Sequence, residues 1–137
     1  MPITPNFQTG LVIRDLTITA QPSKTWGMQL DGDRCQGTKD DVDALVQTIF
    51  CILSTERGAY TIYPASYGIQ MDDLYGRPAA YIYAVLCDRI REALLRDDRI
   101  TDVDSFTYTA HGDTMTVGFS VHTNFTDEEI KGAYHVR

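Results

Sequence analysis

The residues of this sequence with the clearest capacity for chemistry are two short groups of carboxylates and guanidinium groups. The first is Asp97-Asp98-Arg99 and the second is Glu56-Arg57. An arginine presents a rigid fork of N–H donors, which a carboxylate can accept in two parallel hydrogen bonds. Such a contact has a fixed orientation, which suits docking to another protein more than catalysis. Without other information, both groups are more typical of solvated surface charges, which contribute little to stability.

Carboxylates also serve glycoside hydrolases, so a peptidoglycan-cleaving enzyme is the main catalytic alternative. That reaction needs two carboxylates across a cleft, one of them with a raised pKa. Most acids of this chain fall in turns, helix caps or the polar faces of predicted helices. The exception is Glu56, which lies close to Tyr60 in an aromatic context. No serine, cysteine or histidine is arranged as a nucleophile with a base, so a non-enzymatic protein is predicted.

Composition and charge exclude several kinds of partner. The chain has 12 Lys and Arg residues against 19 Asp and Glu residues, a net charge of −7 that is the wrong sign for a phosphate backbone. We therefore expect no nucleic-acid binding. Three widely spaced cysteines argue against a disulfide framework, and three histidines lack partners at metal-ligand spacing, so no metal or other cofactor is expected.

The sequence also bears on where the protein acts. No apolar run approaches the length of a membrane span, so we expect no membrane association. The first residues show neither the basic nor the apolar part of a secretion signal. We therefore expect the protein to act in the cell that makes it, or to be carried elsewhere inside an assembly.

Two helices are predicted from the spacing of apolar residues. Thr38 and Asp41 fit a capping box at the start of the first helix, which ends near Ser54. Pro78 suits the opening of the second helix, because the amide hydrogen that proline lacks would be unsatisfied there. The apolar positions of the first helix are Val42, Leu45, Val46, Ile49, Phe50 and Leu53. Those of the second are Ile82, Val85, Leu86, Ile90, Ala93 and Leu94.

A β-hairpin is predicted over residues 105–121, with a type II′ turn at Gly112-Asp113. A last strand from Ile130 to Val136 follows it, and short strands are expected at residues 26–30 and around Cys35. The apolar pairs of the hairpin are Phe106 with Phe119, Tyr108 with Val117, and Ala110 with Met115. The last strand alternates Ile130, Gly132, Tyr134 and Val136 against Lys131, Ala133 and His135.

These elements predict an α+β domain in which two amphipathic helices pack on a small, mostly antiparallel sheet. We assign this domain to residues 25–137. Residues 1–24 contain three prolines and one strand-like run at residues 11–18. We expect this N-terminal part to be either an added edge strand or an arm that orders on a partner.

The segment from Ile52 to Pro78 is rich in tyrosine, and with its continuation into the second helix it holds six of the eight tyrosines. Tyrosine suits a surface that is dry on one side and wet on the other. The segment is therefore either a cap on the core or a protein interface. It contains, in order, Ser54-Thr55-Glu56-Arg57, Ile62-Tyr63, Ser66-Tyr67-Gly68-Ile69, Asp73-Leu74-Tyr75-Gly76 and Pro78.

In order and spacing, these residues resemble the baseplate wedge protein that initiates the sheath of contractile phage tails, a family also described as lysozyme-like. The match is to the branch found in phages and phage-like elements of Gram-positive bacteria. It begins at Pro22 to Trp26 and runs nearly to the C-terminus. The resemblance implies six copies in a ring around the tail axis, with wedge proteins below, the sheath protein above, and the tail tube or hub as a further candidate neighbour.

The resemblance also implies roles for the two charged groups. In the wider family a Glu-Pro-Arg motif contacts the helical bundle of the wedge, and Asp97-Asp98-Arg99 is its equivalent here, with only the arginine kept. Glu56-Arg57 lies in the segment that carries the resemblance and is a second candidate for wedge docking. If Arg99 is an exposed docking residue, its loss should leave the isolated fold nearly intact.

The last strand is the candidate contact with the sheath. Family members offer the first acceptor for strands that sheath subunits exchange, and an unpaired sheet edge can accept such a strand. Residues 130–136 would provide that edge, and Gly132 would leave room for a partner backbone. The resemblance implies assembly in the bacterial cytoplasm into a phage tail or a headless bacteriocin. The alternatives are a muramidase-like enzyme and a phage adaptor without a sheath role.

Overall fold

The structure is a computed structural model that describes residues 22–29 and 32–136. It contains two helices and two antiparallel sheets, which confirms the predicted α+β class. The elements are β1 (Thr25–Met28), β2 (Cys35–Lys39), α1 (Asp41–Ser54), α2 (Ala79–Leu94), β3 (Ile100–His111), β4 (Thr114–Thr123) and β5 (Ile130–Val136). The predicted strand at residues 11–18 lies outside the described residues, so the boundary after residue 24 stays a prediction.

The strands form a β1-β2 hairpin and a separate three-stranded sheet of order β3-β4-β5. In the larger sheet Tyr108 pairs with Val117 and Ala110 with Met115, as predicted. The β3–β4 register shifts between Asp104 and Thr107, so Phe106 is not aligned with Phe119 in the regular ladder, although their ring centroids lie 6.3 Å apart. Gly112 has the positive φ of 59° that the first position of a type II′ turn requires.

The start of α1 differs from the prediction. Asp40 is the N-cap, and its Oδ1 accepts a hydrogen bond of 2.9 Å from the backbone N–H of Asp41. Thr38 cannot cap the helix because it lies in β2, where it pairs with Trp26. The capping-box prediction was therefore wrong, since the strand continues to Lys39 and leaves only Asp40 before the helix.

The core lies between the two helices and one face of the larger sheet. Burying a large apolar side chain stabilises a fold by roughly 1.5–3 kcal/mol. Val46 and Phe50, predicted to belong to the buried face of α1, are instead 38% and 43% exposed. Each comes one position after a buried residue, Leu45 or Ile49, so its side chain points about 100° away from that residue around the helix axis. The fully buried side chains include Leu45, Leu86, Ile90, Leu94, Val103, Val117 and Val121.

Gly132 of β5 has a role different from the predicted one. A Cβ atom at this position would lie 2.5 Å from Cζ of Phe119, the residue opposite it in β4. The space left by the missing side chain is therefore occupied by the Phe119 ring. It is not available for a partner backbone, so this part of the prediction was wrong. Within the described residues, no helix has the length and apolar character of a membrane span.

Substitution of Gly132 tests this packing. We expect Gly132→Ala to lower the free energy of unfolding by about 1–3 kcal/mol, because the buried Phe119 ring must leave its position. Urea denaturation measures the change. Gly32→Ala is the matched control, since its new methyl group meets only the flexible side chain of Gln29. Equal stability of the two variants would contradict the packing described here.

Candidate docking surfaces

Asp97 and Arg99 form an ion pair within the chain. The Arg99 Nη2 atom lies 2.6 Å from Asp97 Oδ2, and Arg99 Nε donates to Asp97 Oδ1 at 2.9 Å. The two side chains are 11% and 21% exposed. The arginine fork is thus already engaged by a carboxylate two residues away, and it is not a free surface charge.

The same arginine connects elements that are distant in the sequence. Its Nη2 donates to Oγ1 of Thr48 on α1 at 3.1 Å, and its carbonyl accepts from the N–H of Asn124, after β4, at 3.1 Å. Asp98 between the paired residues is exposed. Arg99 therefore joins α1, the turn between α2 and β3, and the loop after β4.

Both members of the pair have shifted pKa values. Burial by itself raises the pKa of Asp97, but the hydrogen bonds from the side chain and backbone of Arg99 outweigh it and leave the pKa of Asp97 below its usual value. The same side-chain hydrogen bonds raise the pKa of Arg99. Both groups are therefore charged at neutral pH.

A groove of about 890 Å³ surrounds this pair. It brings Asp97, Asp98 and Arg99 together with Tyr67 of the tyrosine-rich segment. Residues 22–25 and α1 also contribute to this groove. No local sequence pattern predicts this, because these positions are far from residues 97–99 in the chain. The other lining residues are Pro22, Ser23, Lys24, Thr25, Asp40, Asp41, Gln47, Thr48, Cys51, Asn124 and Phe125.

Glu56 and Arg57 lie elsewhere and hold the tyrosine-rich segment in shape. The carboxylate of Glu56 accepts hydrogen bonds of 2.9 and 3.1 Å from the N–H of Met71. Arg57 donates through Nε and Nη2 to the carbonyl of Gly68 at 3.3 and 3.2 Å, and its Nη1 lies 3.6 Å from a carboxylate oxygen of Glu92. These side chains reinforce the isolated parallel bridge that the backbone forms between Glu56 and Ile69.

Arg89 of α2 is a further anchor that the sequence analysis did not connect to this segment. Its Nη1 and Nη2 atoms donate to the two carboxylate oxygens of Asp73 at 2.7 and 2.8 Å. Nη1 also donates to the carbonyl of Gln70 at 2.7 Å. The tyrosine-rich segment is thus tied to the middle of α2 by a bidentate ion pair.

The tyrosine-rich segment has an apolar inner side and an aromatic outer side. Ile69, Met71 and Leu74 are buried in the core. On the outer side the Tyr63 and Tyr67 rings stack with centroids 4.6 Å apart. The inner side caps the core, as one of the two interpretations predicted, and an interface on the outer side stays a prediction. The exposed large side chains of the segment are Tyr60, Ile62, Tyr63 and Tyr75.

The third candidate surface is β5. Its residues alternate as predicted, with Ile130, Gly132, Tyr134 and Val136 less exposed than Lys131, Ala133 and His135. In the part of the chain that the structure describes, β5 pairs with β4 alone. It is therefore an edge strand. The described residues contain no group of three or more His, Cys, Asp and Glu side chains placed to hold a metal ion.

Arg99→Ala should destabilise the isolated protein by about 1–3 kcal/mol, because it leaves the largely buried Asp97 carboxylate without its partner. This replaces the expectation of a nearly intact fold, which assumed an exposed arginine. Urea denaturation gives the value, and Arg96→Ala is the control, since Arg96 is 45% exposed in its pair with Glu92. A change as small as that of the control would contradict a structural role for Arg99.

The lowered pKa of Asp97 predicts a pH dependence. A carboxyl whose pKa is lower in the folded state contributes stability above its unfolded pKa of about 3.9, and this contribution is lost as pH falls through the folded value. Asp97→Asn should be less stable than the natural protein at pH 7, and the difference should narrow as the pH falls below about 4. Urea denaturation as a function of pH measures it. A constant difference would refute the assignment.

Comparisons with known proteins agree with the resemblance seen in the sequence. The sequence profile of the family described as contractile injection system sheath initiator matches residues 24–126. The phage-like element PBSX protein XkdS of Bacillus subtilis (strain 168) is 34% identical over 93 residues, which are 66% of this chain and 66% of that protein. The matched region spans just under two thirds of that relative. This chain therefore belongs to the sheath initiator family of contractile injection systems.

Proposed function

We infer that the protein is a structural subunit of the baseplate of a contractile injection machine, and that it starts sheath assembly by accepting a strand along the edge of β5. The observation that carries this proposal is the edge of β5, which pairs with no second strand among residues 22–29 and 32–136, in a member of the sheath initiator family. Backbone N–H and C=O groups of alternate residues point out of such an edge. A strand from the sheath protein would gain hydrogen bonds there whatever its sequence.

The two edges of the larger sheet are not equally suitable. β4 and β5 pair without a register shift, from the pair of Val121 with Ile130 to the pair of Met115 with Val136. The β3 edge is irregular, because the β3–β4 register shifts between Ile100 and Asp102 and again between Asp104 and Thr107. Tyr83 of α2 also covers part of the β3 edge, because its hydroxyl donates to the carbonyl of Phe106 at 3.1 Å. Bulges and covering side chains protect an edge from pairing, so β5 is the better acceptor.

Wedge docking is the second part of the proposal. We assign it to Asp97-Asp98-Arg99 and Glu56-Arg57 with the surfaces that they shape. Because Asp97, Arg99 and Glu56 are engaged within the chain, their contribution would be to hold the 890 Å³ groove and the tyrosine-rich segment in a fixed form. The exposed Asp98 and the outer tyrosines would then make the contacts.

The family also supports the wider arrangement. We propose six copies around the tail axis, wedge proteins on one side and the sheath on the other, in a particle assembled in the bacterial cytoplasm. For residues 1–24 both predictions stay open, an added edge strand and an arm that orders on a partner. The contacts of Glu56 argue against peptidoglycan cleavage, since the one acid in an aromatic context directs its carboxylate at the backbone N–H of Met71. A general acid must instead reach the leaving group of a substrate.

Covering the edge of β5 without deleting residues tests the function. An Asn-Gly turn and a strand appended after Arg137 would form a hairpin with β5 and occupy its edge. We expect particles with this extension to assemble baseplates and tail tubes but no ordered sheath, as seen by electron microscopy. A Gly/Ser extension of the same length is the control, because it remains a flexible coil and leaves the edge open. Complete sheaths on hairpin-extended particles would rule out strand addition at β5.

A further inference from the structure

A second groove, of about 410 Å³, lies beside the edge of β5 on the side that faces the helices. Side chains of Leu53 from α1 and of Ile69 and Met71 from the tyrosine-rich segment line it, and all three are buried. Tyr134 of β5 also lines it. The groove therefore lies next to the inward-facing residues of the strand to which a partner would add.

The groove is acidic. Glu56 and Asp72 line it, and among the described residues no lysine or arginine does so, although His135 of β5 is a further lining residue. Two arginines close to these acids are engaged elsewhere. Arg57 donates to the carbonyl of Gly68 and lies 3.6 Å from Glu92, and Arg89 of α2 is held by Asp73 in a bidentate ion pair. The opposite, outward side of β5 carries Lys131. The two sides of the edge strand thus differ in charge, with the acids on the inward side and the lysine on the outward side.

The environment of Tyr134 supports this difference. Burial raises the pKa of the Tyr134 hydroxyl, and the neighbouring Tyr75 and Glu56 raise it further. The Glu56 carboxylate would repel an ionised phenol beside it, and the negative potential of that carboxylate favours a cation that enters the groove.

We propose that β5 selects an incoming strand by its charge pattern: the strand presents a lysine or arginine on the face that turns towards the helices. The occupant is a strand of another protein, so this inference rests on the proposed function and specifies the chemistry of its partner. Neighbouring strands lie about 4.8 Å apart, and their side chains alternate between the two faces. An inward side chain of a strand that added beside Tyr134 would therefore project into the groove.

A long basic side chain fits both parts of the groove. Its methylene stem can lie along the exposed ring of Tyr75 and the half-buried Tyr134, while its charged end reaches the carboxylates of Glu56 and Asp72. A strand with the same residues shifted by one position would turn its basic group outward, towards Lys131. The edge would thus distinguish the two faces of the same strand.

Nuclear magnetic resonance titration of the full-length protein with synthetic peptides tests this inference. The peptides have about ten residues with valine on one face and threonine on the other. In the first peptide a central lysine lies on the valine face, in the second it is moved by one residue to the threonine face, and in the third it is replaced by glutamate. We expect the first to shift the β5 amide signals and to bind roughly fivefold more tightly than the others, with a smaller ratio at high salt.

Asp72→Lys provides the matched test on the protein. Asp72 is exposed, and this variant should remove or reverse the preference for the first peptide. Asp88→Lys makes the same charge change on the exposed surface of α2 and should preserve it. The amide spectrum reports whether each variant is folded, and Asp72→Asn replaces Asp72→Lys if the latter is not.

The outcomes separate the two proposals. If all three peptides shift the β5 amides with equal affinity, strand addition stands and the charge selection is wrong. The charge selection is also wrong if Asp88→Lys alters the preference as much as Asp72→Lys does. If no peptide shifts the β5 amides at millimolar concentration, the edge does not accept strands, and both the charge selection and the proposed function are overturned.

Discussion

The structure depends on the burial of one face of β4. Met115, Val117, Phe119 and Val121 are all buried, and they lie at every second position of the central strand. A shift of the register by one residue would turn this whole set to solvent, so the apolar face determines how both neighbouring strands align. It also requires Gly132 opposite Phe119 and determines which side of β5 faces the helices. The docking properties that we propose for the edge follow from that orientation.

Local patterns were sufficient to predict the regular elements. Apolar residues at helical spacing predicted α1 and α2, and the alternation around Gly112 predicted the hairpin and most of its register. The departures have local causes. A register shift near Ser105, whose φ is 55°, displaces Phe106, and the length of β2 moves the helix cap to Asp40.

The charged residues were harder to interpret, because their environment depends on residues far away in the chain. The sequence predicted an exposed Arg99 that docks on another protein, but Arg99 pairs with Asp97, and its contact with Thr48 joins positions 51 residues apart. Glu56 likewise meets the backbone of Met71, 15 residues later. The same motif can be an exposed docking pair or an internal anchor, and only the tertiary structure distinguishes the two. The docking roles assigned to these residues stay proposals for that reason.

The tyrosine-rich segment illustrates what such anchors achieve. It contains neither a helix nor a regular strand, yet Glu56, Arg57 and Arg89 each bind its backbone carbonyls or amides. The loss of chain entropy on ordering a loop is therefore incurred when the subunit folds and not when it meets a neighbour. A surface that is already in its bound form associates at a rate limited by collision and orientation, without a slow rearrangement. In an assembly built from many copies, such subunits join with similar kinetics at every position.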